Sequence, residues 1–350
     1  MVFRLRSFSI MTYLCTFIDV RMPLVSRSDH KPPFWLPNGH FQSIYPSLFR
    51  VINDVQYTRE RIVTPDGDFL DLDWTFASSS VTSRAEHLVI LSHGLEGSSS
   101  SQYIRGMVRL LTKNGYDCLS WNFRSCSGEM NQTFRFYHSG ATEDLDAVVC
   151  HAINLGYRKI RMMGFSLGGN LTIKYLGEQG RDIHPEIKHG IAFCVPMDLR
   201  ACSLEINKPR NRVYMHRFLK TLMAKVREKS TFYPEKISMK DYARVKTLYD
   251  FDHIYTAAIH GFASADDYYH RCSSKHFVGD IAVPTLIVNT QNDPMVPYSS
   301  LPLDKIASLP HVWLETTRYG GHCGFRPARV SDGMYWSEKR ALEFLESGSV

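Results

Sequence analysis

The sequence predicts an α/β fold, a mostly parallel central sheet with helices on both faces and a helical insertion late in the chain. Three observations carry this. Short apolar, β-rich runs alternate with helix-compatible runs up to residue 195, and again from 285 to 345. Those runs are near-continuously apolar, as strands buried on both faces require. From residue 200 to about 280 the alternation stops.

Taken in order, residues 1–30 are expected to be a disordered leader. Arg4 and Arg6 precede a mixed run, 7–20, that includes Thr12, Thr16 and Asp19. It is too short and too polar for a secure transmembrane helix, and it lacks a clear small-x-small cleavage site; a membrane anchor is the alternative to a disordered or spurious leader. Residues 59–64 and 69–76 read as a hairpin turning at Asp66-Gly67. Further strands are predicted at 88–91, 116–123, 159–164, 191–195, 285–289 and 312–315. Helices are predicted at 102–114, 142–155, 167–178 and 334–345. Strands alternating with helices give a parallel sheet, and loops at the carboxyl ends of its strands then share one rim.

Composition bounds the rest. The chain has 350 residues, 44% hydrophobic and 22% charged, which is ordinary for a globular protein and leaves room for one large domain with an insertion or for two domains. Eight cysteines include no C-x-x-C pair, so reduced thiols in a cytoplasmic setting are expected. There is no H-E-x-x-H, no Walker P-loop and no G-x-G-x-x-G after a strand. Neither a metal, a cofactor nor a nucleic-acid partner is expected.

The chemistry is carried by Gly164-Phe165-Ser166-Leu167-Gly168. This is G-x-S-x-G, entered from an apolar run at 160–163 and left by a helix-compatible run at 170–176. A serine on such a strand-to-helix turn is pushed out of the sheet. It also sits at a helix N-terminus, where free N–H groups favour developing negative charge. A serine hydroxyl is a weak nucleophile until a base takes its proton. The partners should follow in the order acid, then histidine, each after a late strand. Asp293-Pro294 follows the strand at 285–289, and Gly320-Gly321-His322 follows the strand at 312–315. The predicted catalytic set is therefore Ser166, Asp293 and His322. Two N–H donors are expected to hold an oxyanion: the amide of Leu167, next to the nucleophile, and that of Leu95, in the loop His93-Gly94-Leu95 after the strand at 88–91. His93 itself is expected to be structural.

With these residues in view the chain resembles the YheT-like α/β-hydrolases. That group takes in bacterial esterases, yeast medium-chain fatty acid ethyl ester synthase/esterases and animal abhydrolase-domain phospholipases. Pro33-Phe34-Trp35-Leu36-Pro37-Asn38-Gly39-His40 is similar to the group's N-terminal signature, and His93 to Ser98 to its H-G-L-E-G-S loop. Asn122-Phe123-Arg124, Ser127-Gly128-Glu129 and Tyr137-His138-Ser139-Gly140 resemble two further blocks. Ser125 and Cys323 depart from it, standing where Gly and Val are usual. The resemblance spans roughly residues 31–345 and implies an α/β-hydrolase fold and a carboxylic ester hydrolase.

The domain plan is then a leader at 1–30, a hydrolase core at 31–199 and 281–350, and a helical lid at 200–280. Residues 200–250 hold thirteen Lys/Arg against five Asp/Glu, whereas the whole chain carries +6. Such a lid is expected either to meet anionic lipid headgroups, an acidic membrane surface or acyl-CoA phosphates, or to be a solvated face. Phe251, Tyr255, Phe262, Tyr268 and Tyr269 are candidates for an acyl pocket or for the lid's own core. The expected activity is a serine esterase or lipase-like hydrolase acting on short- to medium-chain acyl esters or lipids. An acyl-CoA/alcohol O-acyltransferase using the same acyl-enzyme, and a non-catalytic binding protein on this fold, are the alternatives.

Overall fold

The computed structural model describes residues 23–25, 28–77 and 86–350. Nine described strands form one sheet in the order β1-β9-β8-β7-β6-β4-β5-β3-β2. They are β1 (Leu24–Val25), β2 (Thr58–Val63), β3 (Phe69–Thr75), β4 (His87–Ser92), β5 (Asp117–Trp121), β6 (Lys159–Phe165), β7 (Ile187–Phe193), β8 (Thr285–Thr290) and β9 (Val312–Thr317). Only β3 runs against its neighbours, pairing antiparallel with both β2 and β5. This is the predicted α/β-hydrolase architecture, with the hairpin where Asp66-Gly67 placed it.

Core helices are α1 (Gly39–Phe49), α2 (Gln102–Lys113), α3 (Thr142–Asn154) and α4 (Leu167–Gln179). The segment between β7 and β8 carries α5 (Leu199–Ile206), α6 (Arg212–Phe232), α7 (Leu248–Phe251), a π-helical turn (Asp252–Thr256), α8 (Ala257–His260) and α9 (Ala265–Cys272). The chain closes with α10 (Leu303–Ala307) and α11 (Trp336–Ser347). The sheet is packed on both faces. One apolar cluster joins Leu72, Ile90, Leu119, Ile160, Leu171 and Ile287, and another joins Val89, Met107, Met163, Phe193, Leu286 and Phe344.

Two sequence expectations are corrected. Residues 1–22 and 26–27 of the expected leader lie outside the described residues, but its far end is ordered. Leu24 and Val25 pair in parallel with Leu314 and Glu315, and buried His30 packs on Phe325 and Trp336. Residues 24, 25 and 30 therefore hold fixed contacts where a disordered leader is expected. Strand β7 starts at Ile187 and ends at Phe193, not at 191–195, because Cys194 turns out of the sheet at φ 51°. No helix among the described residues is long and apolar enough to cross a membrane.

Candidate active site

Each predicted site residue lies just past the carboxyl end of a strand. Ser166 follows β6 and opens α4, and it holds φ 54°, ψ −120°. That conformation costs a non-glycine residue energy and persists only where its surroundings enforce it. The enforcement is close packing. A Cβ on Gly164 would stand 2.2 Å from the Gly168 carbonyl oxygen, and one on Gly168 would stand 2.4 Å from the carbonyl oxygens of Ser92 and His93. Strand, turn and helix can approach this closely only with glycine at both places.

Asp293 follows β8 and His322 follows β9. His322 Nε2 lies 2.8 Å from Ser166 Oγ, and His322 Nδ1 lies 2.7 Å from Asp293 Oδ2. Asp293 is held by its other oxygen, which accepts from the amides of Met295 (2.8 Å) and Val296 (3.1 Å). Its side chain is 1% exposed and that of His322 12%. Burial disfavours the charged imidazolium, yet the Asp293 carboxylate overrides it and raises the His322 pKa to about 9.

Leu95 and Leu167 border the same cavity as Ser166 and His322. Leu167 is the first residue of α4, so its amide has no acceptor one helical turn back. In the loop after β4, Gly94 N–H donates to Tyr103 Oη, Glu96 N–H to Tyr137 Oη and Gly97 N–H to the Gly94 carbonyl. His93 has the expected structural place. Its Nδ1 faces the Gly94 carbonyl (2.7 Å), its Nε2 accepts from the Phe123 amide (3.1 Å), and burial lowers its pKa to about 3.

The cavity beside Ser166 encloses about 140 Å³. The loops after β5 and β8 contribute Tyr137 and Met295, and the segment between β7 and β8 contributes Pro196, Leu199, Ile206, Phe218, Leu222 and Phe251. Of the five lid aromatics singled out from sequence, Phe251, Tyr268 and Tyr269 line it. Tyr255 lines a smaller adjoining cavity, and Phe262 packs on Tyr268 and His138.

Sequence reading missed two groups here. The first is α1, whose inner face grips the histidine loop. Ser43 Oγ accepts the His322 amide at 2.8 Å, and Gln42 Oε1 accepts the Gly320 amide at 2.8 Å and Asn292 Nδ2 at 2.9 Å. The Asn38-Gly39-His40 motif was the available signal: Asn38 caps α1 by accepting the amides of His40 and Phe41. The second is Asp252, on the π-helical turn. Its carboxylate lines the cavity and accepts from Thr256 Oγ1 and Tyr269 Oη, both at 2.7 Å, while burial raises its pKa to about 6. Nothing in the local sequence separates it from the other acidic residues of the lid.

With YheT of Escherichia coli (strain K12), named as an esterase, the chain is 35% identical over 328 residues, which cover 91% of this chain and 94% of that one. This chain belongs to the YheT-like α/β-hydrolases. A second member, the phospholipase ABHD3 of Mus musculus, is 31% identical, covering 88% of this chain and 76% of its own. The monoacylglycerol lipase of Saccharomyces cerevisiae is 28% identical, with 89% and 79% covered. The family described as serine aminopeptidase, S33, matches residues 83–307, a span that includes Ser166 and Asp293 and stops before His322. The fold is shared with the Pyrococcus furiosus esterase Pf2001 (TM-score 0.55, 19% identity, 85% of this chain and 96% of that one). The YheT-like chain in hand is thus an enzyme of the esterase/lipase-like α/β-hydrolase class.

Proposed function

We propose that the protein hydrolyses short- to medium-chain acyl esters or lipids through an acyl-enzyme on Ser166. The carrying observation is the hydrogen-bonded chain Ser166–His322–Asp293 at an apolar cavity. His322 takes the proton of Ser166 Oγ as that oxygen attacks the ester carbonyl. Asp293 keeps Nδ1 of His322 protonated and stabilises the imidazolium that forms. The amides of Leu95 and Leu167 receive the oxyanion; such a donor contributes ~3 kcal/mol to the barrier. His322 then protonates the leaving alcohol, and water releases the acyl group by the reverse sequence. The lining of the cavity supports an acyl chain as its occupant, and the names of the relatives support a lipid substrate. The seven described cysteines are free thiols, which supports a reducing compartment.

A fluorophosphonate should label Ser166, and Ser166→Ala should abolish both labelling and turnover of p-nitrophenyl esters while leaving the thermal unfolding midpoint unchanged. Labelling of another serine in an active preparation contradicts the assignment. Turnover measured with ethanol present separates hydrolysis from acyl transfer to an alcohol.

A further inference from the structure

Helix α1 is amphipathic with its faces reversed. Its inner residues are polar or small: Gly39, Gln42 and Ser43 are buried against the histidine loop. Its outer residues are apolar: Phe41, Leu48 and Phe49 are 56%, 65% and 64% exposed. With Tyr45 they fall at i, i+4, i+7 and i+8, one continuous stripe. Tyr45 joins the stripe to the segment before it, with its ring 4.8 Å from Trp35 and 5.1 Å from Phe49. Phe34, in that segment, is 95% exposed. Residues 39–49 carry no Asp, Glu, Lys or Arg.

Exposed single apolar residues are normal, but a contiguous stripe rimmed by polar groups marks a contact surface. Cations form the rim here. Arg326 lies over the Trp35 ring at 4.8 Å, and Arg217 of α6 reaches Ser47 of α1 at 3.2 Å. Arg212, Val213 and Lys220 are exposed on the same helix as Arg217. His40 stacks on Tyr214, so α1 and α6 present adjoining surfaces. An aromatic and aliphatic stripe with Arg and Lys at its border is the composition of a helix that lies in the plane of a lipid interface.

We infer that α1 is an interfacial helix, which docks the protein on an anionic phospholipid surface with Phe41, Leu48 and Phe49 in the acyl boundary and the α6 cations on the headgroups. Charge complementarity selects anionic lipid over a second copy of the chain, whose matching face would carry the same cations. The helix is also the one whose inner face holds the His322 loop, and Ile44 packs into the lid cluster beside the cavity. Docking therefore brings the cavity rim to the lipid. This inference extends the lipid-ester reading of the site but is tested apart from it.

The test uses the full chain with vesicles of phosphatidylglycerol and phosphatidylcholine, or of phosphatidylcholine alone. The parent should sediment with the anionic vesicles, and its tryptophan emission should be quenched by brominated acyl chains. The triple variant Phe41→Ser, Leu48→Ser, Phe49→Ser should partition at least about tenfold more weakly, because three side chains lose their apolar burial. Its turnover of a monomeric soluble ester should match the parent, which shows that the fold and the Ser166 chemistry are intact. A second variant, Arg217→Glu with Lys220→Glu, should lose the preference for anionic vesicles while keeping residual binding. Equal partitioning of the triple variant and the parent overturns the inference. So does a parent that ignores vesicles and is a dimer which the triple variant turns into a monomer, since the stripe would then cover a second copy. Loss of soluble-ester turnover in the parent would instead count against the proposed function.

Discussion

At the residue scale the site rests on charge placement. Asp293 raises the pKa of His322 to about 9, and a general base must be neutral to act. The expected kcat/KM therefore climbs with pH through His322's own titration. In Asp293→Asn burial remains and the stabilising charge is gone, so the rising limb should move to lower pH. Its kcat should also fall, by about ten-thousandfold if the wrong imidazole tautomer is favoured. Activity within a few-fold of the parent, or an unmoved limb, argues against Asp293 as the partner. The same shift is a stability term. His322 has a folded pKa above the unfolded 6.5, so its contribution is full below that pH and is lost as pH rises through about 9. Asp252 acts in the same direction, at lower pH. Its folded pKa of about 6 lies above the ordinary 3.8, so the folded state binds more protons between those values and stability falls as pH rises across them. Asp252→Asn should raise the unfolding midpoint at pH 7 and leave it unchanged near pH 3, as measured by calorimetry. A lower midpoint at pH 7 would mean that the bonds from Thr256 and Tyr269 outweigh the cost of the buried charge.

At the element scale, α1 fastens the loop that carries His322. His322 is set in the site by a backbone bond to Ser43 as well as by its ring contacts. Ser43→Ala should lower kcat about tenfold, the ~1.4 kcal/mol scale of one buried hydrogen bond. KM and the midpoint of the pH profile should stay near the parent values, because neither the cavity nor Asp293 is touched. An unaltered kcat would show that Gln42 and Asn292, whose Oδ1 accepts the Gly321 amide at 3.0 Å, hold the loop unaided. The same helix shows why part of the structure escapes periodicity. Reading apolar residues as the buried face assigns α1 the wrong side, and Pro46 inside it reads as a breaker. The two-residue strand β1 is too short to form a pattern, and the polar Lys188 and His189 hide the start of β7. Other boundaries follow local chemistry that the sequence displays. One is Glu338, whose Oε2 accepts the Tyr335 amide at 3.0 Å and so helps to start α11 at Trp336, close to the predicted 334.

At the scale of the whole molecule, the helical segment between β7 and β8 spends part of its positive charge internally. Lys225 pairs with Glu96, and Lys208 and Arg210 both pair with Glu205. Lys229 is fully buried, and its ammonium donates to carbonyl oxygens of Asn131, Thr133 and Arg135. These bonds tie the cover to the loop between β5 and α3. The exposed remainder, with Arg212 and Lys220, is free to act at long range. Reversing Arg210, Arg212 and Lys220 to Glu should weaken binding to anionic vesicles and reduce its salt dependence, while short-ester kcat stays within about twofold. Part of the loss from Arg210→Glu will be local, since Glu205 loses a partner, and a drop in the unfolding midpoint would measure that part. By itself the sequence determined the α/β alternation, the chain order of Ser166, Asp293 and His322 and the rim on which they meet. Strand periodicity, glycine placement and strand-end loops are all encoded locally. The tertiary structure alone decided that α1 turns its polar face inward to hold His322, that Asp252 enters the cavity, and which lid aromatics line it. Each of those depends on contacts between segments far apart in the chain, where the surroundings of a side chain, and not its neighbours in sequence, set the cost of burying it.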